Sequence, residues 1–128
     1  MNNSTDFTEL HSNSMLKLNV GGKEFMTTLE TLRSDQNSML AKMFSSDASG
    51  RVPANQDANG AFFFDRCPRY FSVILNFMRS GKLEKRVDID MDFLRHEAEY
   101  FGIQGNMKEY TEHFNYILKN QIIFFTPT

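Results

Sequence analysis

Apolar and polar positions alternate from Met15 to Val20, with Leu16, Leu18 and Val20 on one side. That period of two predicts a half-buried strand. Gly21-Gly22 follows and suits the positive φ angles of a tight hairpin, so Lys23 to Thr28 is predicted to return as a second strand carrying Phe25. Thr27 and Glu30 have capping-box spacing, which predicts a short helix beginning near Leu29. Asp35 and Asn37 are candidate caps for a second helix, whose apolar side is Met39, Leu40, Met43 and Phe44.

From Ser45 to Gly60 the chain turns polar, rich in Ser, Asp, Asn, Ala and Gly, and reads as a long loop. The apolar run Ala61-Phe62-Phe63-Phe64 predicts a third strand, buried on both faces or set at a protomer contact. Next comes the clearest helix of the chain. Asp65 is a candidate cap and Pro68 sits where a missing N–H costs nothing. Phe71, Ile74, Leu75 and Met78 then fall at i, i+3, i+4 and i+7, before Arg79 in the last turn and Gly81 at the left-handed C-cap position. A further helix is predicted after Asp90, with Phe93, Leu94, Ala98 and Phe101 on one face and Gly102 at its end. Another begins at Asn106 with Glu109, on the spacing of Met107, Tyr110, Phe114, Ile117 and Leu118.

The predicted order is β-β-α-α-β-α-α-α. This is an α/β domain of the α+β kind, a small sheet wrapped by helices. Residues 1–14 read as a loose leader, 15–105 as the domain, and 106–128 as a C-terminal helix and tail. A chain of 128 residues suits one domain with a core that needs no metal or disulfide staple.

Composition narrows the function classes. The formal net charge is −2, which lacks the basic stripe of a nucleic-acid binder. Lys82, Lys85 and Arg86 are surrounded by Glu84, Asp88, Asp90 and Asp92, the pattern of a solvated loop. The longest apolar run, Ile122 to Phe125, is far short of the ~20 residues of a membrane helix. The expectation is a soluble protein of the cytoplasm, with the nucleus also open to it.

Candidate chemistry fails on spacing. Gly21-Gly22-Lys23 lacks the earlier glycine of a phosphate loop, where Lys17 stands, and the following hydroxyl, where Glu24 stands. His96-Glu97 starts like a zinc-protease helix, but Tyr100 occupies the second histidine position. His11 and His113 are remote in sequence, and Asp88, Asp90 and Asp92 do not continue as a calcium loop. Cys67 is the only cysteine, which excludes an intrachain disulfide. Near a helix N-terminus, between Arg66 and Arg69, it has the setting of a reactive thiol, but no sequence neighbour serves as a base. The sequence therefore predicts no enzyme, cofactor or metal. Its thirteen Phe and eight Met residues exceed the needs of such a core, which points to a face shared with another protomer or partner.

Three blocks carry a family resemblance. Leu16-Lys17-Leu18-Asn19-Val20-Gly21-Gly22-Lys23-Glu24-Phe25, Asp65 through Leu83, and Leu94 through Ile103 resemble, in order, the signatures of the BTB/POZ domain of the potassium-channel tetramerisation (T1) type. The resemblance implies a BTB fold that assembles as a homo-oligomeric ring of four or five subunits. In the soluble branch of that family it implies recruitment of cullin-3 as a ubiquitin-ligase adaptor. The alternative is a regulatory subunit that assembles with potassium-channel T1 domains. Two departures stand out. Cys67 occupies a position where the family usually has aspartate, and the interfacial zinc motif of some channel T1 domains is absent. On this reading Asp65, Arg66 and Arg69 are expected at the oligomer interface. Met39, Met43 and Phe44 are a candidate partner surface, with the domain's own core as their alternative place. Gly21 and Gly22 are structural turn residues.

Overall fold

The alternation at the start of the chain becomes the central strand of the sheet. In the computed structural model, which describes residues 14–45, 55–84 and 86–103, β1 is Met15–Val20 and β2 is Lys23–Thr28. They form an antiparallel hairpin that pairs Val20 with Lys23 and Met15 with Thr28. Gly21 and Gly22 take φ values of 58° and 99° at its turn, where a side chain would be strained. The third strand, β3 at Phe62–Phe64, lies parallel to β1 on its other side, giving the order β2-β1-β3. Leu18 and Val20 pair with Phe62 and Phe64, and all four are buried. Phe63 points the other way and is 43% exposed, so β3 is not covered on both faces within one protomer.

Helices fill one face of this sheet. In chain order they are α1 (Leu29–Leu32), α2 (Met39–Met43), α3 (Pro68–Ser80) and α4 (Met91–Tyr100). Tyr70, Phe71, Val73, Ile74, Leu75 and Phe77 of α3 are all buried, so this helix runs through the core and not along its surface. Edge-to-face aromatic contacts tie the layers together, with Phe25 against Phe71, Phe44 against Phe62 and Phe64 against Phe101.

Helix ends follow the predicted chemistry with shifted residues. Thr28, one position after the expected Thr27, caps α1 by accepting from the Thr31 N–H at 3.3 Å. Thr27 instead faces the core, because β2 alternates, and its hydroxyl has no hydrogen-bond partner among the described residues. Ser38 caps α2, accepting from the Ala41 N–H at 3.0 Å. Asp35 is occupied in a turn, taking the Asn37 N–H on its carboxylate. Asp65 lies too early to cap α3, whose N-cap is Cys67 without a side-chain hydrogen bond. Gly81 closes α3 in the left-handed conformation, as expected. Asp90 caps α4, accepting from the Asp92 N–H. Of the four residues expected on its core face, Leu94, Ala98 and Phe101 are buried while Phe93 is 40% exposed.

The loop before β3 is built against the sheet where it is described. Asn55 accepts the Phe63 N–H at 2.9 Å, and Gln56 bridges to Phe62. The Asp57 carboxylate gathers the Asn19 side-chain amide and the N–H groups of Asn59 and Ala61. The leader, the middle of the Ser45–Gly60 loop and the helix expected from Asn106 lie outside the described residues. Among the described residues, no helix is long and apolar enough to cross a membrane.

Candidate interaction surface

The N-terminus of α3 is where the expected interface charges gather, and it is organised by a residue the spacing argument passed over. Glu97 falls at i+3 from Leu94 on the core stripe of α4, and it is only 1% exposed. Its carboxylate takes a two-pronged ion pair from the Arg66 guanidinium, the second prong at 3.3 Å from Nε. It also accepts the Cys67 N–H at 3.5 Å, so it supplies the acceptor that Asp65 was expected to give the first turn of α3. The Arg66 guanidinium lies 4.1 Å from the centre of the Tyr100 ring. Arg66 is thus engaged inside its own protomer. The available signal for Glu97 was its place at i, i+3, i+4, i+7 with Leu94, Ala98 and Phe101, a pattern that demands a buried partner for a charge.

Asp65 and Arg69 behave differently. Both are exposed, and the Arg69 guanidinium lies 5.6 Å from the Tyr70 ring centre. Tyr70 meets Phe93 edge-on at 4.7 Å, and Phe93 in turn touches His96. Phe93, His96 and Tyr100 share one side of α4 by their spacing of three and four, and all three are exposed. An aromatic and cationic surface therefore spans α4 and the start of α3.

The partner surface expected on α2 has a different fate. Met43 and Phe44 are 5% and 0% exposed, and Phe44 packs on Phe62. This corrects their placement on a partner face: they are core of the single chain, because the helix turns that side toward β3. Met39 is half-buried, and its N–H donates to the Phe101 carbonyl at 3.0 Å. Beside α2 an open depression of about 280 Å³ is lined by Arg33, Gln36, Ala41 and Ser45. Cys67 is partly buried against the core.

The outer face of the sheet is exposed as well. Strand alternation and the register put Met15, Lys17 and Asn19 of β1, Glu24 and Met26 of β2, and Phe63 of β3 on that side. Met15 is 67% exposed and Met26 44%. Asp57 at its margin is held below the usual carboxylate range by the Asn19 amide first, then by the Ala61 N–H, with Lys17 adding a weaker attraction. Around α3, the Arg86 guanidinium likewise holds Asp88 low.

A three-stranded sheet with helices packed on one face and exposed apolar side chains on the other defines a small α/β domain. The comparison with known proteins gives the particular family. The BTB/POZ domain family model matches residues 16–111, and the chain belongs to that family in its potassium-channel-tetramerisation branch. It is similar to BTB/POZ domain-containing protein KCTD3 of Homo sapiens, 44% identical over 92 residues, which covers 72% of this chain and 11% of that protein. It is similar to KCTD9 of Mus musculus, 42% identical over 106 residues, with 82% of this chain and 30% of the relative covered. KCTD5 of Homo sapiens is 37% identical over 93 residues, covering 73% of this chain and 39% of the relative. The matched region is thus well under half of each of these relatives.

Proposed function

We propose that the chain acts as a self-assembling BTB scaffold, a homo-oligomer of four or five protomers that works as a cullin-3 ubiquitin-ligase adaptor in the cytoplasm. The family match over residues 16–111 carries this reading. The exposed Arg69 over the Tyr70 ring, with Tyr70 against Phe93 and the exposed Tyr100 on the same side of α4, supports a protomer contact rich in Arg and aromatic side chains, the residue types concentrated at protein interfaces. With Met43 and Phe44 in the core, the adaptor reading rests on the rest of the α2 surface, Met39 and the depression next to it. Light scattering on the purified chain, alone and with cullin-3, tests both parts. A mass of four or five protomers that rises on adding cullin-3 is the expected result. Monomer mass at tens of micromolar would end the scaffold reading. An oligomer that leaves cullin-3 free would end the adaptor reading alone.

A further inference from the structure

We infer that Arg79 guards the open edge of the sheet, blocking strand-to-strand pairing between β2 of one copy of this chain and β2 of another. The order β2-β1-β3 leaves β2 at an edge of the described sheet. Val20 pairs with Lys23 across the two-residue turn, so the hydrogen-bonded pairs recur at Leu18 with Phe25 and at Leu16 with Thr27. Glu24 and Met26 therefore turn their backbone N–H and C=O groups away from β1, toward the edge. Such a row of outward groups is a template for a further strand. Phe25, Thr27 and Thr28 are strand-forming residues, and the exposed Met26 adds apolar surface beside that row.

The partner that fits this edge is the same edge of a second copy. Antiparallel pairing about a two-fold axis through Phe25 would set Glu24 of each copy against Met26 of the other. Each Met26 carbonyl would then accept the Glu24 N–H across the axis. The chain fills that acceptor from within. Arg79, exposed in the last turn of α3, donates from its guanidinium to the Met26 carbonyl at 2.6 Å. A short relay holds the guanidinium in place: it also donates to the Asn76 side-chain carbonyl at 3.3 Å, and the Asn76 amide donates to the Glu84 carboxylate. Paired strands lie about 4.8 Å apart, which leaves no room for a guanidinium between them. Two copies approaching edge to edge would also bring their Arg79 cations together, and like charges oppose the contact. Arg79 thus satisfies the acceptor and charges the edge, as charged side chains do on other edge strands.

The test is Arg79→Ala in the whole chain, alone and together with Glu24→Pro. Proline at position 24 removes the N–H that edge pairing needs, and costs the hairpin no bond because that N–H faces away from β1. By light scattering, Arg79→Ala is expected to exceed the wild-type mass at least about twofold, since each two-fold contact joins two assemblies. The double variant is expected to return to the wild-type mass. Arg79→Ala at wild-type mass would overturn the inference. So would a heavier species that Glu24→Pro leaves unchanged, because that association would come from another surface. Far-UV circular dichroism checks that each variant is folded. Arg79→Ser replaces an unfolded Arg79→Ala, and Glu24→Lys, which lines the edge with like charge beside Lys23, replaces an unfolded proline variant.

Discussion

Arg66 and Glu97 should respond unequally to truncation, and the direction follows from their burial. The Glu97 side chain is 2% exposed and that of Arg66 is 25% exposed. Arg66→Ala strands a carboxylate whose other acceptor contact is the Cys67 N–H at 3.5 Å. Breaking a buried pair in this way costs about 3 kcal/mol, the low end of the usual range because Arg66 keeps part of its side chain in water. Glu97→Gln keeps the shape and one acceptor, and the freed guanidinium reaches solvent, so about 1–2 kcal/mol is expected. Arg66→Met with Glu97→Leu removes both charges, and should lie closer to wild type than Arg66→Ala does. Part of the Arg66 effect comes from its place over Tyr100, worth about 0.5–1 kcal/mol, which Tyr100→Leu measures separately. Urea titrations at one fixed protomer concentration give the comparison, since assembly contributes to apparent stability. If Glu97→Gln costs as much as Arg66→Ala, the carboxylate is not the member that depends on its partner, and the reasoning fails.

The hairpin glycines should also separate. A Cβ on Gly21 would stand well inside contact distance of the Arg66 carbonyl oxygen and 3.0 Å from Pro68 Cδ, while one on Gly22 meets open space. Gly22→Ala carries only left-handed strain of about 1–2 kcal/mol. Gly21→Ala adds that clash and threatens its 2.9 Å hydrogen bond to the Phe64 carbonyl, for about 3 kcal/mol or more. Equal melting temperatures for the two variants would refute the close approach. Thr27→Val keeps the volume and removes a buried hydroxyl with no partner among the described residues, so a gain of about 1 kcal/mol is expected, and a lower melting temperature would contradict it. Asp57 has a depressed pKa through Asn19 and Ala61, so its contribution is present above the ordinary carboxylate value and lost as pH falls through the lower folded value. Asp57→Asn should therefore flatten the fall of melting temperature in acid, and an unchanged slope between pH 5 and pH 3 would count against this.

Backbone-level features were legible because they depend on local pattern. Leu16, Leu18 and Val20 predicted a strand with one inward side, and Gly21-Gly22 predicted the turn that fixes its register. Gly81 closed α3 where the sequence expected it, while the helix began at Pro68, two residues later than a cap at Asp65 implied. The caps were less legible, since several Ser, Thr, Asp or Asn residues compete within a few positions and only the final chain path selects one. Thr28 replaced Thr27 because β2 had already committed Thr27 to the core side. Ser38 replaced Asp35 because Asp35 was drawn into its own turn.

Side-chain roles were legible only where their partner was local. Arg66 and Arg69 are three residues apart and look alike in sequence, yet one is locked onto a carboxylate thirty-one positions away and the other is exposed. No periodicity argument confined to α3 separates them, because the partner comes from α4. The pattern in α4 does separate them, once a charge at a core position is treated as a demand. Glu97 lies on the buried side with Leu94, Ala98 and Phe101, so some cation must reach it. Arg66 sits before the helix starts, where its side chain can turn toward α4, while Arg69 follows Pro68 and is carried outward. The internal pair joins the start of α3 to α4 and so helps to set the side on which Phe93 and Tyr100 emerge, while Arg69 stays exposed beside the Tyr70 ring.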